Sequence, residues 1–91
     1  MNIKLLFKEL ELLLSDIAFT GIHNLQPVTL QKLEDLKRWM HELSMMEGVH
    51  LINRFIESVY AYKDGRKKVS EVTSDLCALE LYQKMITNNA N

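Results

Sequence analysis

The chain has 91 residues, of which 47% are hydrophobic and 25% charged, with a formal net charge of −1. That size supports one domain, residues 1–91, with one modest core, and the balance excludes both a disordered chain and a basic field able to hold nucleic acid. Three glycines and one proline are too few for a sandwich or barrel with many tight turns, and no run reaches the ~18 apolar residues of a membrane span.

The amino-terminal stretch is apolar, but Lys8, Glu9 and Glu11 interrupt it and no small-residue cleavage site follows, so it reads as a helix and not as a secretory leader. Helical spacing predicts helix one over about residues 3–19, with Ile3, Leu6, Phe7, Leu10, Leu13, Leu14, Ile17 and Ala18 on one face. Gly21 suits the left-handed position that ends a helix. A loop over residues 22–28 follows, in which Pro27 pushes Gln26 out of the helical region.

Thr29 is the expected N-cap of helix two. Its apolar stripe is Leu33, Leu36, Met40 and Leu43, widened by Trp39 and Met46. Gly48 marks a break, and helix three takes residues 49 to about 63 with Ile52, Phe55, Ile56, Val59 and Tyr62 inward. Gly65 ends it. Ser70 is the expected N-cap of helix four, whose stripe is Val72, Leu76, Leu79 and Ile86, and the polar tail 87–91 is expected to fray. Helices of this length joined by short links favour antiparallel neighbours, so the predicted fold is an all-α, up-down-up-down four-helix bundle. Leu10, Leu14, Leu36, Met40, Phe55, Val59, Leu76 and Leu79 should share its core.

No set of residues answers to a catalytic, cofactor or metal site. His41-Glu42 begins like a zinc-protease motif, but position 45 is Met45 where a second histidine would stand. Glu47-Gly48-Val49-His50 supplies one Glu-x-x-His where a di-metal bundle needs two. Cys77 has no orienting partners for nucleophilic work and reads as a small packed residue; as the single cysteine it fits a reducing compartment. No glycine-rich phosphate loop is present. Helices two and three could present His50, Asn53, Arg54 and Glu57 as a helix-turn-helix does. Arg54, however, falls near a position that should pack inward, and the net charge opposes DNA binding. The expectation is a protein that is not an enzyme.

Three surface features remain. The turn Lys63, Arg66, Lys67, Lys68 sets four cations against Asp64, a net of +3, and reads either as a solvated turn with cations near the carboxyl end of helix three or as attraction to an anionic membrane face or an acidic partner. Ala78, Leu81 and Met85 form a second apolar line on helix four, and Leu5, Leu12 and Phe19 one on helix one. A helix needs one buried face, so such second lines indicate either a wide core or an irregular crossing, or docking surfaces for a partner or for a second copy in a homodimer.

The segment Leu51-Ile52-Asn53-Arg54-Phe55-Ile56, followed by Tyr60, Tyr62, Lys67, Lys68, Ser70 and Glu71, resembles the third helix and following turn of the pediocin-like (class IIa) bacteriocin immunity proteins, most closely the enterocin A immunity type. The pattern Leu33-x-x-Leu36-x-x-Trp39 is compatible with it. The resemblance implies an antiparallel four-helix bundle in the cytoplasm of a Gram-positive bacterium, placed at or near the inner membrane face. It implies action without catalysis or cofactor, by contact with the mannose-type phosphotransferase receptor that the bacteriocin captures. It also implies that the carboxyl-terminal half sets which bacteriocin is countered. The candidate partner-binding residues are therefore Lys63, Arg66, Lys67, Lys68, Ala78, Leu81 and Met85.

Overall fold

The computed structural model describes residues 2–89. Four helices account for most of them: α1 (Ile3–Thr20), α2 (Pro27–Glu42), α3 (Met46–Lys63) and α4 (Val69–Asn89), with a short 3-10 turn at Ile22–Asn24. Each helix packs on its two neighbours in a ring: α3 lies against α2 and α4, and α1 against the other sides of α2 and α4. Short links make sequence neighbours antiparallel. Lys37 on α2 reaches Asn53 on α3 at 2.8 Å, and Arg54 on α3 reaches Asp75 on α4 at 3.3 Å. The fold is the expected four-helix bundle.

The core follows the 3.6-residue period. All eight residues expected in it are buried, among them Phe55, the largest side chain that is fully enclosed. Several stripe positions depart from the expectation. Ile3, Leu43 and Met46 are exposed, as is Ala18, because they fall at helix ends where no neighbour covers them. The connection expected as a plain loop carries two core residues instead: Ile22 and Leu25 fold inward from the 3-10 turn and close one end of the bundle.

The helix ends differ from the sequence reading for identifiable reasons. α2 begins at Pro27, not after Thr29. Proline is preset for the first helical turn and lacks the N–H that would go unpaired there, and Thr29 lies buried inside that turn. α4 begins at Val69, so Ser70 is inside the helix. The Lys68 N–H instead donates to the Glu71 carboxylate at 3.1 Å, half of a capping box. Gly21 ends α1 with a positive φ of 86°, but its ψ of 159° is extended, not left-handed helical. At the far end α4 stays helical through Asn89, and the Gln83 side-chain amide donates to the Thr87 hydroxyl at 2.8 Å. Thr87, Asn88 and Asn89 thus belong to the helix, while Ala90 and Asn91 of the expected frayed tail lie outside the described residues.

Gly48 does not break the chain. The break comes earlier, where Ser44 adopts φ 59° and the N–H groups of Ser44 and Met45 donate to the carbonyls of His41 and Met40. This is the Schellman pattern, with a serine in the position that usually takes glycine. Gly65 does occupy that position after α3, as expected, with φ 77°. Gly48 sits in the first turn of α3 where three helices converge. A methyl group there would lie 2.7 Å from the Met40 sulfur and 3.0 Å from the Tyr82 ring. Its task is close approach.

The same contact perturbs Tyr82. Burial raises its pKa above the ordinary value, the Glu47 carboxylate adds to the rise, and a backbone hydrogen bond with Gly48 works the other way. A phenol whose folded pKa is raised stays protonated in the native state while the unfolded chain has already lost the proton. Stability is therefore intact below about pH 10 and falls as pH climbs from there through the folded value. Ultraviolet titration should show Tyr82 ionising above the ordinary tyrosine value. Urea midpoints at about pH 9 and about pH 11 should fall further in the wild type than in Tyr82→Phe; an equal fall in both would remove Tyr82 as a source of alkaline sensitivity.

Candidate partner-binding surfaces

The structure divides the candidate residues into two separate patches. Lys63, Arg66, Lys67 and Lys68 surround the α3–α4 turn. Ala78, Leu81 and Met85 lie farther along α4. At 1.5 Å per residue, Leu81 is about 18 Å and Met85 about 24 Å from the start of that helix, near the end where Tyr82 meets Gly48. The basic turn and the apolar line therefore occupy different parts of the bundle. Leu81 is 61% and Met85 55% exposed, whereas Ala78 is half-buried.

The basic turn is also less open than its composition indicates. Arg66 pairs with Asp64 at 3.2 Å. Lys67 is half-buried and turned inward, its ammonium donating to the Ser58 hydroxyl at 3.0 Å and lying 4.0 Å from the Asp75 carboxylate. The Lys63 ammonium approaches the Leu25 carbonyl at 3.5 Å. Lys68 is exposed, and among the described residues its side chain has no ion-pair partner. Lys67 thus also takes part in the scaffold of the α3–α4 seam.

That scaffold is a polar staple the sequence reading missed. Ser58 is fully buried on α3 and donates its hydroxyl to Asp75 of α4, which also accepts from Arg54. Asp75 accepts where Ser58 and Arg54 donate, and Lys67 supplies the donor to the Ser58 oxygen. A buried hydroxyl without such partners costs about 1–3 kcal/mol, so the cluster meets a requirement of the α3–α4 seam. The signal was present in the register. Ser58 follows Phe55 by three residues, and Asp75 follows Val72 by three, both at inward spacing.

His23 accepts or donates to the Tyr62 hydroxyl at 2.6 Å, with the two rings edge to face. Cys77, expected to pack, is exposed. Among the described residues no three His, Cys, Asp or Glu side chains gather closely enough to hold a metal ion, and no helix is long and apolar enough to cross a membrane.

A further concavity lies elsewhere, between α1 and α2. It is an open groove of about 860 Å³ lined by Leu5, Leu12, Leu13, Leu36 and Trp39, with charged side chains along both edges. Two residues of the second apolar line of helix one, Leu5 and Leu12, contribute to it. The third, Phe19, is 91% exposed and stands beyond its end.

No protein-family model matches the chain, and comparisons with curated proteins and with solved structures give no significant match.

Proposed function

We propose that this chain acts by contact, as an immunity protein of the class IIa bacteriocin kind, working at the cytoplasmic face of the membrane on the mannose-type receptor, alone or with its bound peptide. The observation that carries the contact-based reading is that Leu81 and Met85 stay exposed although the core is filled without them. The immunity reading adds the resemblance of residues 51–71. In that segment Ile52, Phe55 and Ile56 form the inward face of α3, and Lys68 and Glu71 form the start of α4. Charge near the turn speeds encounter with an anionic surface or acidic partner, and apolar anchors slow release. Because the two patches lie far apart along α4, the partner must run along that helix to use both.

The test is survival of a bacteriocin-sensitive strain that expresses each variant, challenged with a panel of class IIa peptides. The wild type protects against at least one. Leu81→Asp removes protection, and Lys63→Glu with Lys68→Glu weakens it, both with helicity unchanged by circular dichroism. Lys67 is left alone because its loss would disturb the staple. A wild type that protects against none of the peptides ends the immunity reading. Protection that survives in both folded variants ends the assignment of the surface.

A further inference from the structure

We infer that the groove between α1 and α2 is a docking site for a cationic amphipathic helix. The groove has an apolar floor and an acidic rim. Leu5, Glu9, Leu12 and Asp16 follow one another along α1 at spacings of four, three and four residues, so apolar and acidic side chains alternate on one face. The facing wall of α2 gives Leu36 and Trp39 to the floor and Glu42 to the rim. Four carboxylates against Lys32 and Arg38 leave the lining with a net charge of −2. Arg38 is already paired with Asp35 at 3.0 Å, whereas Glu9, Asp16 and Glu42 have no cation partner among the described residues.

Charge decides the occupant. A second copy docked by the same face would set one acidic rim against another, which a two-fold interface repeats on both sides. A basic helix places lysines or arginines between Glu9, Asp16 and Glu42 while its apolar face covers Leu5, Leu12 and Trp39. The stretch from Leu5 to Asp16 is about 16 Å long, the length of about three helical turns, so a segment of about 11 residues fills it. The site lies on α1 and α2 and is independent of the α4 surface and of the immunity reading.

Trp39 is the single tryptophan and is half-buried in the groove wall, so its fluorescence reports occupancy. The full chain is titrated with a synthetic peptide of about 14 residues carrying leucines and lysines at helical spacing. Two controls have the same leucines with glutamates, and the same composition in an order that is not amphipathic. The cationic amphipathic peptide should shift Trp39 emission to the blue and saturate. Leu12→Asp, at an exposed position, should weaken binding at least about tenfold; Glu9→Lys with Glu42→Lys should weaken it similarly and flatten its salt dependence. The inference fails if the cationic peptide leaves Trp39 unchanged, if either control binds equally well, or if the groove variants bind like the wild type. It also fails if the wild type sediments as a dimer that Leu12→Asp dissociates, because the face then belongs to a second copy.

Discussion

Phe55→Ala lowers the stability of the bundle by about 3–5 kcal/mol. The residue is 0% exposed and sits mid-way along α3, the helix that packs against both α2 and α4. Truncation removes the transfer free energy of a whole ring. It also leaves a cavity beside Ile52 and Val59 of the same helix, whose positions α3 fixes, so the site collapses only in part. At about 0.05–0.15 kcal/mol per residue, a domain of this length has about 5–14 kcal/mol in total, so the loss takes about a fifth of it or more. Urea denaturation followed by circular dichroism should show a lower midpoint with an unchanged slope. Tyr60→Ala is the control. Its ring is on the same helix but 52% exposed, and its removal should cost far less. A melting temperature unchanged in Phe55→Ala would place Phe55 outside the core and undo the packing described above.

The positions of the four helices and the identity of the core were legible in the sequence because apolar spacing is repeated several times within each helix. A register supported by Leu6, Leu10, Leu13 and Ile17 tolerates one misleading member such as Ile3. Helix ends have no such redundancy. Thr29 and Ser70 are good capping residues by chemistry, but Pro27 starts one helix earlier, and Glu71 secures the start of the other by reaching back to Lys68. Gly48 resembled a break because glycine serves both for positive φ and for close contact, and a single sequence does not separate the two. The surface was legible only in part. Exposure of Leu5, Leu12, Leu81 and Met85 followed from their lying off the main stripes. The separation of the basic turn from Leu81 did not, since residues that share a helix can lie several turns apart along it. The inward turn of Lys67 depends on Ser58 and Asp75, two polar residues at core register whose mutual contact only the folded pair of helices creates.

Gly48→Val destabilises the protein by about 3 kcal/mol, and the effect is coupled to its neighbours. Alanine gains up to about 1 kcal/mol from helix propensity at an internal helical site, and that gain opposes the clash of its single methyl. Valine places two further carbons into space already taken by the Met40 sulfur at 2.7 Å and the Tyr82 hydroxyl at 3.1 Å from the position of Cβ. Met40 is 0% exposed and held within the core, so the strain is relieved chiefly by moving Tyr82 and opening the corner between α3 and α4. Two measurements follow. In a double-mutant cycle, Met40→Ala with Gly48→Val should cost clearly less than the sum of the single changes, because the truncated side chain vacates the space valine enters. In the same Gly48→Val protein the Tyr82 titration should move back toward the ordinary tyrosine value, since displacement exposes the ring that burial had shielded. A Gly48→Val variant as stable as the wild type, with Tyr82 titrating as before, would show that α2, α3 and α4 do not converge closely at Gly48.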